Sequence, residues 1–310
     1  MRSTLRFSGS VAICIFWTIS CAQTSRPAGP DRPHLQVGGG TIYIHIEGQN
    51  DKLSQEDLDS WIQTAANAVT NYFGRFPIKQ AELEITVGDP GKINGGVTYG
   101  GRRITIRLGR QTRLKDLQSD WRLTHEMFHL AFPDLPPDYI WMQEGLSTYL
   151  EPLARARIGN LRPEIMWSET VREMPQGLPE PGDQGLDRTH TWGRTYWGGA
   201  MFWLIADVRI REQTDTRASL DTAIRAILAA GGDGSARWSA ARVFEIGDRA
   251  TGTTVLRDLH NEMGLHGVAP DLKALWKRLG IVEKGNSVTF EDTAPLAKIR
   301  RSMTAPRTDE

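Results

Sequence analysis

Cysteine is nearly absent from this 310-residue chain, which holds two, Cys14 and Cys21, both close to its start. Cys14 falls in a segment read below as an export signal. No intramolecular disulfide is then expected in the mature protein, and no cysteine is left to ligate a metal. An excess of either charge is missing too, because 37 basic residues face 37 acidic ones and the formal net charge is +0. Nucleic acid is therefore not an expected partner. Long hydrophobic runs are also lacking. The apolar stretch Val11 to Ile19 is nine residues long, well short of the roughly 20 that a membrane-spanning helix needs. No segment repeats. What is present is ordinary for a globular protein: 39% apolar and 24% charged residues, on a chain long enough to bury a substantial core.

The N-terminus reads as a targeting signal. Arg2 and Arg6 precede the short apolar run, and Thr18-Ile19-Ser20-Cys21 follows it. This order of charge, apolar segment and small residues suits export. The end resembles a bacterial lipobox, although Thr18 stands where Leu or Val is usual. The expectation is residues 1–21 as signal peptide and attachment to a membrane through a lipidated Cys21. Ordinary cleavage after Ala22 is the alternative. Either route implies the bacterial cell envelope, lipid-anchored in the first case and periplasmic or secreted in the second.

Residues 22–37 carry three prolines and little periodicity, so they read as a flexible tether. Thr41 to Glu47 alternates as a strand. Leu58, Trp61, Ile62, Ala65, Val69 and Tyr72 then recur at helical spacing, with Ser54 as N-cap and Gly74 before Pro77 as the stop. Ala81 to Val87 and Val97 to Leu108 read as further strands, the latter with Gly100-Gly101 inside it marking a bulge or a close backbone approach. Helices dominate afterwards: 117–131, 140–153, 196–211, and stretches near 218–230, 238–247, 253–264 and 271–279. Residues 157–189 look irregular. Strands first and helices later argue an α+β fold, with a globular domain over 38–285 and a polar C-terminal tail over 286–310.

The chemistry concentrates at Thr124-His125-Glu126-Met127-Phe128-His129, an HExxH sequence. On a helix, positions i and i+4 share a face about 5–6 Å apart. Two imidazoles so placed can bind one tetrahedral Zn²⁺. Glu126, about 100° round the helix from His125, flanks the ion and can act as general base on a water. Met127 and Phe128 should face the core. The bland alternative is a buried helix with incidental histidines.

Zinc needs a third protein ligand and one open position. Pro133 to Pro137 must end the helix, and Asp138 can cap the next one. A turn of that length folds the second helix back on the first, bringing Glu144 opposite His129. A third histidine of the metzincin kind is excluded, since position 135 is Leu. Glu151, seven residues after Glu144, shares its face and is expected to orient a ligating histidine. An exposed carboxylate at the helix end is the competing reading.

HEMFH followed by WMQEGLSTYLE resembles the gluzincin metallopeptidases, particularly the aminopeptidase N, leukotriene-hydrolase and glycyl-aminopeptidase branches. Those carry HExxH and a Trp-x-x-Glu-Gly segment whose Glu binds zinc. Tyr196-Trp197-Gly198-Gly199-Ala200 is similar to their Tyr-x-Lys-Gly-Ala segment, with Gly198 in place of the Lys. Tyr72 to Pro77 and Asp248 to Leu259 are similar to further parts of that domain, so the likeness runs over roughly residues 40 to 280. The resemblance implies a thermolysin-like domain, a small N-terminal sheet before a mainly helical half. It also implies that Tyr196 stabilises an oxyanion. The aminopeptidases further carry a Gly-x-Met-Glu-Asn strand whose Glu holds the substrate amine. The region matched to it, Tyr99 to Arg103, has no acid.

The expectation is thus a zinc metallopeptidase acting on a peptide or protein substrate. Its rivals are a zinc-containing envelope binding or assembly factor that cuts little, and a helical structural protein without metal.

Overall fold

The computed structural model describes residues 32–88 and 90–307. The export signal, Cys14, Cys21 and most of the expected tether lie outside the described residues.

The sheet forms first. Strands β1 (His34–Val37), β2 (Gly40–Glu47), β3 (Gln80–Val87), β4 (Gly95–Tyr99) and β5 (Arg103–Leu108) stand in the order β1-β2-β3-β5-β4. The β2–β3 and β3–β5 pairs are parallel, while β1–β2 and β4–β5 are antiparallel. Parallel neighbours need a crossover, and helix α1 (Gln55–Phe73) supplies it between β2 and β3. Its start carries a reciprocal cap: Asp57 N–H donates to Ser54 Oγ at 3.1 Å and Ser54 N–H to Asp57 Oδ2 at 2.8 Å. Gly74, at φ 76°, closes the other end.

Alternation fixes which face of the sheet is buried. Leu83 and Ile85 on β3 and Ile104 and Ile106 on β5 are buried, and Ile62, Val69 and Tyr72 of α1 belong to the same core. Strand β4 is last in the sheet, so one of its edges has no strand partner among the described residues. Val97 and Tyr99 on it are exposed.

The second half is helical: α2 (Leu114–Gln118), α3 (Arg122–Phe128), α4 (Ile140–Arg157), α5 (Pro163–Glu173), α6 (Gly199–Gln213), α7 (Leu220–Ala229), α8 (Ala240–Thr251), α9 (Val255–Leu259) and α10 (Leu272–Leu279). Hairpin β6 (Ile281–Lys284) and β7 (Ser287–Phe290) and helix α11 (Ala297–Thr304) complete the chain. The architecture is α+β, and no helix among the described residues is long and apolar enough to cross a membrane.

Several boundaries differ from expectation, each for a local reason. The tether ends before His34, because Gly38 and Gly39, both at positive φ, turn His34–Val37 back onto β2. Residues 286–310 are not simply a polar tail: Val288, Leu296, Ile299 and Met303 are buried. Val288 lies on β7, and the spacing of Leu296, Ile299 and Met303 at the start of and along α11 is masked by Lys298, Arg300 and Arg301. Gly100-Gly101 form a hairpin turn with both residues at positive φ, not a bulge, but the close backbone approach is there, since a Cβ on Gly101 would lie 1.9 Å from Gly234 C. Residues 157–189 are irregular only in part, since Pro163 opens α5 at its first turn. The expected helix over 117–131 splits at Asp120, whose carboxylate accepts the Leu123 N–H at 3.1 Å and the Trp61 indole N–H at 3.2 Å. Asp138 does not cap α4 with its side chain; it lies within a 3₁₀ turn, Pro137–Tyr139.

Candidate metal centre

Helix α3 carries His125, and His129 opens the 3₁₀ turn His129–Ala131 that continues it. Met127 and Phe128 point into the core, at 0% and 2% exposure, which turns the His125–His129 face towards α4. Their rings stand 5.0 Å apart, nearly perpendicular. The turn through Pro133–Pro137 folds α4 back against α3, and Glu144 meets the pair. Glu144 Oε2 lies 3.2 Å from His125 Nε2 and 3.5 Å from His129 Nε2. Among the described residues this trio forms a group able to hold a metal ion, with its ligand atoms all within 4.8 Å of one another.

The two carboxylate–imidazole distances match the edge of a tetrahedral site. Ligands at about 2.0–2.1 Å from zinc, separated by tetrahedral angles, stand about 3.3–3.4 Å apart. The donor set, two imidazole nitrogens and one carboxylate, leaves a fourth position open. The charges agree. Burial by itself disfavours the His129 imidazolium, but the neighbouring Glu144 carboxylate, with Glu126 beyond it, outweighs this and raises its pKa. Burial likewise works to raise the Glu144 pKa, yet the two imidazoles hold it well below the usual carboxylate range. The Glu144 charge suits a cation, for which a proton on His129 would compete.

Residues outside the trio hold it in place. Ser147 Oγ lies 3.4 Å from His129 Nδ1; with Nε2 facing the trio, Nδ1–H donates to the hydroxyl. Ser147 follows Glu144 by three residues, so one helix face supplies both a ligand and a support. Trp141 Nε1–H donates to Asp187 Oδ1 at 2.9 Å, and His260 Nε2 lies 2.8 Å from Asp187 Oδ2. This network pins the start of α4, three residues before Glu144.

Glu126 is buried, at 8% exposure, and points to β4. Thr98 Oγ1 lies 2.8 Å from Glu126 Oε2 and 2.9 Å from Glu126 O. Strand β4 passes so close that a Cβ on Gly96 would come within 2.9 Å of Glu126 Cγ. The strand lying beside the expected base is therefore Gly95–Tyr99, four residues before the segment matched in the sequence. Its residues, GGVTY, also include no acid.

Tyr196 reaches the site from a π-turn, Arg194–Gly198, that runs into α6. Its ring stacks on His125 at 6.3 Å and on Trp192 at 5.6 Å. Buried Arg194, 2.8 Å from Asp183 and donating to Gly177 O at 2.6 Å, anchors that turn. Helices α4 and α6 touch backbone to backbone. A Cβ on Gly145 would lie 2.3 Å from Gly199 C, and one on Gly199 would lie 2.2 Å from Trp141 O.

Glu151 is the correction. Its carboxylate accepts from Arg155 Nη1 at 2.8 Å, and no bond to a histidine forms. Glu151 and Arg155 sit one turn apart on α4, so the nearer partner wins. Burial raises the Glu151 pKa to about 7 despite that partner. Asp187, Thr98 and Ser147 were not legible as site residues. Asp187 lies 43 residues from Glu144 in sequence, and lone hydroxyls carry no motif.

No family model matches the sequence, and no curated protein matches it. Solved structures do match the fold. An aminopeptidase N family protein from Idiomarina loihiensis superposes with a TM-score of 0.62 at 13% identity, covering 81% of this chain and 49% of that one. An M1 zinc metallopeptidase from Deinococcus radiodurans gives 0.50 at 14% identity, covering 77% and 52%. Aminopeptidase A from Legionella pneumophila, in complex with aspartic acid, gives 0.50 at 13% identity, covering 76% and 28%. The chain spans about half the length of the first two. At these identities the likeness establishes the fold: an α+β arrangement shared with M1 aminopeptidase family structures.

Proposed function

We propose that the protein is a zinc-dependent peptidase of the gluzincin type, exported to the bacterial cell envelope. The observation that carries this is the convergence of His125, His129 and Glu144, with carboxylate–imidazole distances of 3.2 and 3.5 Å. Three protein ligands suit a catalytic zinc, since structural sites close with four. A zinc ion held there supplies a Lewis acid that polarises a carbonyl and lowers the pKa of water.

The chain's own residues do the rest. The Glu126 carboxylate takes a proton from the attacking water and returns it to the leaving amine. Thr98 holds that carboxylate still. The Tyr196 hydroxyl donates to the oxygen that becomes negative in the tetrahedral intermediate. The open edge of β4 gives an extended peptide a row of backbone groups to pair with, directly beside Glu126. Strand β4 has no acid to anchor a free amino group, which favours cleavage within chains or near a carboxyl end over amino-terminal trimming.

The N-terminal export signal, with lipid attachment at Cys21, belongs to the same proposal. The test is purification with metal analysis, followed by a peptide digest comparing wild type with Glu126→Gln. About one zinc per chain and cleavage lost in the variant are expected. Equal turnover by the two proteins removes Glu126 as the base.

A further inference from the structure

A cavity of about 600 Å³ opens beside the metal centre, with His125 and Tyr196 among its lining residues. That is the size of a small-molecule site, and its position next to a metal ligand makes it continuous with the reaction centre. It does not depend on β4, which lies on the Glu126 side.

The walls are unusual for a surface that faces water. Trp192 is 61% exposed, Trp121 45% and Ile165 37%, and all three line this one cavity. Large apolar side chains left this open in one place mark a surface that a ligand covers. Deeper in, Met166, Trp167 and Met174 are buried and apolar. Trp192 is held flat against Tyr196, and Trp121 meets His125 edge-on at 5.5 Å. The aromatic rim is thus fixed to the two residues nearest the chemistry.

The charges in the walls are mostly answered internally. Arg155 Nη1 donates to Glu151 and its Nε to Asn160 Oδ1 at 2.7 Å. Arg172 pairs with Glu173 at 2.6 Å. Each of these two lining cations thus has an acidic partner, although Arg172 stays exposed to solvent. Glu169 stands exposed at the rim, the single group here that would draw a basic side chain.

We infer that this cavity receives a bulky apolar side chain, aromatic in the favoured case, from one of the two residues flanking the bond that is cut. The inference rests on the peptidase reading, and it names the substrate class: peptides with Phe, Tyr, Trp or Leu beside the scissile bond. Aromatic side chains gain most from such a pocket, through buried area and ring–ring contact with the Trp rim.

Two experiments test it. The first is a positional peptide library digested by the metal-loaded protein, scanning both residues around the cut. Selection for Phe over Ala by about tenfold or more at one position is expected. In Ile165→Glu, which sets a charge in the mouth, that ratio falls towards one. Indifference to the side chain, or selection for Arg or Lys through Glu169, overturns the inference while leaving the peptidase reading in place. The second uses metal-depleted wild type and follows tryptophan fluorescence as an uncut Phe peptide or its Ala counterpart is added. Tighter binding of the Phe peptide by about tenfold supports the pocket, and equal affinities overturn it. This arm decides the pocket even if no peptide is cut, a result that would sink the peptidase reading alone.

Discussion

Thr98, on the edge strand, lies 2.8 Å from a carboxylate oxygen of Glu126 on the metal helix. One hydroxyl thereby ties the sheet to the group expected to move the proton. Removing it leaves the carboxylate buried without that donor. Thr98→Val is expected to lower kcat by about tenfold, the scale of a hydrogen bond to a charged group. KM should stay nearly unchanged, and Thr98→Ser should restore the rate. A purely structural threonine would show the opposite pattern: activity per folded molecule intact and thermal stability reduced.

Metal affinity should track both ligand identity and pH. Glu144→Ala, His125→Ala and His129→Ala are each expected to lose stoichiometric zinc. Ser147→Ala, which leaves all three ligands, should weaken binding by about 10- to 100-fold, because the hydroxyl only orients His129. Zinc must displace a proton from any protonated imidazole. Since Glu144 raises the His129 pKa in the metal-free protein, affinity should begin to fall at a higher pH than an ordinary histidine would impose. Competition against a chelator across a pH series measures this in wild type, and NMR titration of the metal-free proteins should show the His129 pKa lower in Glu144→Gln than in wild type.

Glu151 makes stability depend on pH in the reverse of the usual carboxylate sense. Its pKa is raised to about 7 in the fold, so the folded protein holds this proton more tightly than the unfolded chain does. The stabilisation is complete below the unfolded value and is lost as pH rises through about 7. It amounts to no more than about 3 kcal/mol. Between pH 5 and pH 8, wild type should therefore lose stability relative to Glu151→Gln, which stays neutral and can still accept from Arg155. Denaturant unfolding of both proteins at each pH is the measurement, and parallel curves would contradict the assignment.

Close contact between α4 and α6 makes Gly145 irreplaceable. Its added Cβ would meet Gly199 atoms at 2.3 and 2.4 Å, and both are backbone. Gly145→Ala must push the helices apart, at a cost of about 1–3 kcal/mol. Because Glu144 is the adjacent residue, zinc affinity should fall along with the melting temperature. Thermal unfolding with and without metal separates the two losses.

Much of the site was legible because local rules write it into the sequence. The His125–His129 spacing places two imidazoles on one face of any helix. Proline between 133 and 137 forces the turn that returns Glu144. The Ser54 cap and Gly74 stop bound α1 as expected. What could not be read depended on contacts distant in sequence or on competing local partners. Glu151 was expected to serve a histidine, but Arg155 one turn along takes its carboxylate. Residues 286–310 looked polar because charged neighbours hide Leu296, Ile299 and Met303. The segment matched to the aminopeptidase edge strand, Tyr99 to Arg103, begins four residues after the strand beside Glu126, because the chain reverses at Gly100-Gly101.

Strand β4 opens with two glycines, Gly95 and Gly96, and is only five residues long. Its glycine end presents amide and carbonyl groups with no side-chain relief, whereas Val97 and Tyr99 stand exposed further along. A peptide laid along the glycines would be gripped there by its main chain alone, so exchanging Gly95 should alter how tightly substrates are held far more than which ones are chosen, while Val97 and Tyr99 are the β4 positions left to discriminate.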